Sequence, residues 1–174
     1  MDYENGYPVL YDSQIFGTST GAVYQPGAIF VRRFGTGRMN WSMVKYIKLD
    51  NTGCNQGEAL VTDFATLNSH IVTKAATADF GVNPRGIAAA TIASNSYGFM
   101  VIGGLCGSAD LSHTAASGEY LQISGSTAGK LTPNLASVYN AGTQGNASMF
   151  IPFAVAREAI ATGFGSIQIL GVWG

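Results

Sequence analysis

The sequence predicts an all-β protein: a compact barrel or sandwich built from two duplicated half-units and preceded by an extended N-terminal arm. Three observations lead there. The closing stretch from Phe153 to Gly174 (FAVAREAIATGFGSIQILGVWG), moved back by 67 positions, falls on Gly86 onward (GIAAATIASNSYGFMVIGG), so that Tyr97-Gly98 meets Phe164-Gly165 and Ala89 meets Ala156. Upstream, Gly57-Glu58-Ala59-Leu60-Val61 matches Gly118-Glu119-Tyr120-Leu121-Gln122 at an offset of 61, and the second copy carries about six extra residues between its anchors. Short apolar runs also recur every 8 to 12 residues or so with Gly, Ser and Asn between them, the spacing of strands and turns. Two copies are too few for a solenoid, which needs about three repeats to bury its faces. A pair closing into one domain is the physical alternative.

Length and composition narrow the class. A chain of 174 residues can bury a substantial core as one domain. Only 11% of its residues are charged, while 47% are hydrophobic and 23 are glycine; the usual charged share is about a quarter. From Gly86 onward the charges are Asp110, Glu119, Lys130, Arg157 and Glu158 alone. A free monomer normally needs more charge to stay dispersed, and the chain is too rich in aliphatic and aromatic residues for disorder. The composition therefore points to a subunit of an assembly. A net charge of −1 exerts no general pull toward nucleic acid or membranes. No charged-then-apolar signal segment opens the chain, and no run of about 18 apolar residues could span a bilayer. Cys54 and Cys106 are too few and too far apart for a zinc site. Both are expected to be reduced and structural.

Taken in order, residues 1–25 show no period of two or 3.6 and read as an extended arm. Tyr3, Tyr7, Leu10, Tyr11, Ile15 and Phe16 are too many large side chains for a solvated tail, so an ordered arm must lie on a surface, its own domain's or a neighbour's. The β-domain, 26–174, opens with a basic hairpin over 26–50, in which Ala28 to Arg33 and Trp41 to Leu49 flank a glycine-containing loop. Met43, Lys45 and Ile47 share one face of its second strand; Val44, Tyr46 and Lys48 share the other. Arg32, Arg33, Arg38, Lys45 and Lys48 gather there, following an acidic tip of Asp2, Glu4 and Asp12. Half-unit one spans 51–105 and half-unit two 106–174, the latter with a longer insert from Pro133 to Ala147. AAATIA and VAREAIATG hold enough alanine for a helical turn, but their flanking glycines favour strand.

The chemistry-bearing patterns are incomplete. Gly17-Thr18-Ser19-Thr20-Gly21 has the spacing of a nucleophile elbow, yet it lies in the irregular arm with no strand–turn–helix around it. Gly125 to Lys130 (GSTAGK) has one residue too few between its glycines for a phosphate loop, and Leu131 stands where Ser or Thr is needed. His70 and His113 have no neighbours at ligand spacing. Glu58 and Glu119, each directly after a glycine in equivalent places, suggest turn residues that accept backbone N–H bonds. Asn40-Trp41-Ser42 and Asn146-Ala147-Ser148 are glycosylation sequons by pattern only. The expectation is a protein that is not an enzyme and needs no cofactor or metal.

The repeated layout resembles the capsid decoration, or cement, proteins of phages and prophages. The likeness is carried by YIKLDNTGCNQGEALV (Tyr46 to Val61), GIAAATIASNSYGFMVIGG (Gly86 to Gly104), GEYLQISGSTAGKL (Gly118 to Leu131) and AVAREAIATGFGSIQILG (Ala154 to Gly171), across roughly 40–174. It implies a structural virion protein on the outer surface of a phage head, made in the host cytoplasm. Such a protein binds the major capsid protein, often as a trimer, and contacts neither nucleic acid nor membrane. In that role Tyr3, Tyr7, Tyr11 and Phe16 of the arm, with Arg32, Arg33 and Arg38 of the hairpin, are expected to dock on capsid protein or on an adjacent copy. Other expectations are a head-fibre base or tail protein, or a small carbohydrate-binding module using Trp41, Trp173 and the tyrosines.

Overall fold

A computed structural model describes residues 3–4, 6–33, 41–63, 70–79, 84–133 and 153–170; Arg38, Trp173, Asn146 and the insert beyond Pro133 lie outside the described residues. The chain is almost wholly β, as its patterning predicts. The strands are β1 (Tyr3–Glu4), β2 (Tyr7–Leu10), β3 (Ile29–Arg33), β4 (Trp41–Leu49), β5 (Ala59–Thr62), β6 (Ile71–Lys74), β7 (Gly86–Ala88), β8 (Tyr97–Leu111), β9 (Tyr120–Ile123), β10 (Leu131–Pro133), β11 (Ala154–Ala156) and β12 (Gly163–Ile169). One helical turn, α1 (Asp12–Ile15), follows β2.

The strands close into two rings. Ring one runs β4–β6–β5–β7–β8, and the β4–β8 pairing returns it to its start. Ring two runs β8–β10–β9–β11–β12 and closes through β12–β8. The 15-residue β8 belongs to both. β4 does for ring one what the second half of β8 does for ring two: each pairs in parallel with the third strand of its ring.

The duplication is visible bond by bond. Cys54 exchanges both backbone hydrogen bonds with Ile92, as Ala115 does with Ile160. Gly57 N–H donates to the Ala88 carbonyl at 2.9 Å, and Gly118 N–H to that of Ala156 at 2.8 Å. Both glycines have positive φ, +83° and +86°, which a side chain would resist. The glutamate after each closes the turn: Glu58 Oε2 accepts from Asn55 N–H at 2.7 Å, and Glu119 Oε2 from Ala116 N–H at 2.6 Å. Ala88 thus matches Ala156, and Ile92 matches Ile160, at an offset of 68. The gapless offset of 67 holds only from Tyr97 and Phe164 onward, because the turn after Ile160 is one residue shorter than the turn after Ile92.

Each ring is filled by the same positions. Ile47, Leu49, Leu60, Val72, Ile92 and Met100 fill ring one, and Ala109, Leu111, Leu121, Leu131, Ile160 and Ile167 fill ring two, all of them buried. Every large aliphatic side chain withdrawn in this way contributes roughly 1.5–3 kcal/mol. The isoleucine of each turn folds back over a glycine. A methyl group on Gly98 would sit 2.7 Å from Ile92 Cδ1, and one on Gly165 would sit 2.4 Å from Ile160 Cγ2. Gly165→Ala should therefore cost about 1–3 kcal/mol by overpacking, whereas Gly107→Ala, with open space around it, should stay within about 0.5 kcal/mol. Urea denaturation of the two variants checks this; equal stabilities would contradict the packing.

Candidate functional site

The N-terminal segment is a third layer laid against ring one. β2 joins β3 in parallel, with Leu10 beside Arg32, and β3 pairs antiparallel with β4. Leu10 and Ile15 are buried in the main core. Between α1 and β3 the chain crosses the outer face of ring one, where Ser19 bridges to Tyr97 and Val23 N–H donates to Tyr46 Oη at 3.0 Å. Tyr24, Phe30, Tyr46 and Phe99 pack there with ring centres 5.0–5.8 Å apart, edge-on and tilted contacts that favour aromatic pairs. The large side chains of 1–25 thus divide: some complete the chain's own core and others face solvent.

The expected docking residues divide in the same way. Tyr7, Tyr11 and Phe16 are exposed, and Tyr3 lies in β1 opposite Pro8 with its side chain outside the described part. Arg33 is exposed at the end of β3. Arg32 is buried instead: its Nε donates to Asp12 Oδ1 at 2.7 Å, and its guanidinium carbon lies 4.7 Å from the centre of the Phe16 ring. It clamps α1 to β3, a contact that strand periodicity could not reveal. The register places Arg33 beside Trp41, and Tyr11 follows Leu10, the residue paired with Arg32. Tyr11 just past the end of β2, Arg33 at the end of β3 and Trp41 at the start of β4 thus stand exposed at one end of the three paired strands. Trp41, which a β-domain would ordinarily bury, is 42% exposed because β4 has here run past the end of ring one.

A second exposed apolar area lies on ring two. Ala59 on the outside of ring one is fully buried, yet its counterpart Tyr120 is 51% exposed, and Phe164 on the same outer face is 65% exposed. The remaining sequence candidates are absorbed by structure. Ser19 Oγ accepts from Gly21 N–H at 3.2 Å, and among the described residues no histidine bonds to it. The GSTAGK loop ties the rings together: Gly129 bonds through its backbone to Ala59 and Ala75, and Lys130 Nζ lies 3.0 Å from Asp110 Oδ1. Both cysteines are free and buried, and burial pushes each thiol up to about 11. An open cleft of about 480 Å³ lies among Lys48, Asp50, Asn51, Asp63, Ile71 and Asn95. Among the described residues no three metal-binding side chains converge, and no helix is long and apolar enough to cross a membrane.

No protein-family model matches this chain, and no curated protein sequence matches it.

The Asp12–Arg32–Phe16 clamp makes a prediction. Arg32→Ala should destabilise the fold by about 1–3 kcal/mol, because it removes a buried charge-assisted hydrogen bond, and should speed proteolytic cleavage within 17–28. Limited proteolysis beside a denaturation curve reads both; unchanged cleavage would show that the clamp does not hold the segment.

Proposed function

We propose that the chain is a non-enzymatic structural virion protein that binds the outside of a phage capsid and cements neighbouring capsomers as a homo-oligomer, in the manner of a trimer. The observation that carries this reading is the exposure of large aromatic side chains on a weakly charged, ring-closed body: Tyr11 and Trp41, with Arg33, at the N-terminal layer, and Tyr120 and Phe164 on the outside of ring two. Exposed aromatics favour contact with another protein, and tyrosine, tryptophan and arginine are the residues that concentrate binding energy at interfaces. The motif segments of the cement-protein resemblance supply strands of the two rings, so the likeness concerns the body that would carry these surfaces. The group at the N-terminal layer is assigned to capsid protein, and the outside of ring two to contact between copies.

A small carbohydrate-binding module is the second reading, favoured by Trp41 and Tyr11 standing exposed at one end of the paired strands. Removing residues 1–25 would strip Leu10 and Ile15 from the core as well as the docking groups. Point variants serve instead. Tyr11→Ala with Trp41→Ala should abolish co-sedimentation with empty capsids while leaving the oligomer intact. Tyr120→Lys with Phe164→Ser should shift the light-scattering mass toward one chain. Capsid binding that survives the first pair, together with glycan binding that it abolishes, would transfer the case to the carbohydrate reading.

A further inference from the structure

Because the two rings share one register, the places where they differ are informative. At one end of ring two, Cys106, Ile123, Phe153 and Ile169 are all buried and close the barrel with apolar side chains. The same places in ring one hold Lys45, Thr62, Arg85 and Ile102, all only partly buried. The matches follow from pairing. Lys45 lies opposite Met100 as Cys106 lies opposite Ile167, and Thr62 lies opposite Val72 as Ile123 lies opposite Leu131. Arg85 and Phe153 each stand just before the fourth strand of their ring. One copy seals this end with hydrocarbon, and the other places two cations there.

Those cations have little to neutralise them. Arg85 Nε donates to Thr62 Oγ1 at 2.6 Å, and among the described residues Lys45 Nζ has neither a hydrogen bond nor an ion pair. Burial, and then the charge of Arg85, push the Lys45 pKa below its ordinary 10.5. In the sequence, the stretches between Asp63 and His70 and between Asp79 and Pro84 carry no acidic residue. Asp63, next to Thr62, lines the outer cleft beside Lys48 and Asp50. Two like charges half withdrawn from water raise the energy of the empty site, and an entering anion relieves it.

We propose that the Lys45–Thr62–Arg85 end of ring one is a recognition site for a carboxylate side chain of a partner polypeptide. Lys45 supplies a point charge, and the Arg85 guanidinium a planar fork suited to two carboxylate oxygens. Thr62, whose oxygen already accepts from Arg85, keeps its O–H to donate. Ile102 beside them offers apolar contact to the methylene stem of a glutamate, which free phosphate lacks. The site is separate from the group of Tyr11, Arg33 and Trp41 and stands whether or not the partner is a capsid protein.

The test is an NMR titration of the full chain with tetraglutamate peptide, run in parallel with inorganic phosphate. Saturable shifts of the Lys45 side chain and of the Thr62, Arg85 and Ile102 amides are expected from the peptide, at least tenfold weaker in a Lys45→Met, Arg85→Leu variant. No shift, equal shifts at Lys48, Lys74 and Lys130, or tighter saturation by phosphate would each overturn the assignment. A fold readout accompanies it. Lys45 is charged at a cost below its depressed folded pKa, and that cost fades as pH rises toward 10.5. Lys45→Met should accordingly melt higher than the parent at pH 7, with the gap closing toward pH 10; a variant that melts lower would show that the lysine is an ordinary structural residue.

Discussion

The structure depends on one strand serving two closures. β8 bonds to β4 and β7 along its first half and to β12 and β10 along its second, so both rings are completed by a single segment. The exchange happens at Gly104, which pairs with Ser42 on one side and Ile169 on the other. Its φ is +80°, and the Trp41 carbonyl oxygen lies 2.4 Å from where a methyl group would stand. No other residue type fits that crossing without moving backbone. Closure also removes exposed strand edges, which would otherwise recruit other chains through backbone pairing. Among the described residues the two-residue β1 is left as the sheet's free edge.

Two copies of one plan then diverge by what covers them. Ala59 of ring one bonds through its backbone to Gly129 of the ring-two loop and is fully buried, at the position where ring two exposes Tyr120. The ends diverge in the opposite sense, apolar in ring two and cationic in ring one. Both differences lie where backbone hydrogen bonding is already satisfied. They can therefore vary without disturbing the ladder.

The N-terminal segment is part of the fold as well as of its surface. Leu10 and Ile15 enter the core while Tyr11 and Phe16 face out, and the Asp12–Arg32 pair sets the boundary between them. A charge counted in the sequence as a docking group is engaged inside the molecule.

Local chemistry determined a good deal by itself. The alternation from Trp41 to Leu49, the Gly-Glu turns and the repeated glycine of Tyr97-Gly98 and Phe164-Gly165 announce strands, positive-φ turns and a duplication, because each rests on near-neighbour sterics and hydrogen bonds. The all-β class and the turn role of Glu58 and Glu119 follow from that level. Ring closure, the sharing of β8 and the offset of 68 ahead of the shortened turn depend on pairings between residues far apart in the chain. So does the contrast between Arg32, clamped by Asp12, and Lys45, left half-buried beside Arg85: a side chain's availability is set by what long-range packing brings against it, and only the tertiary structure decides that.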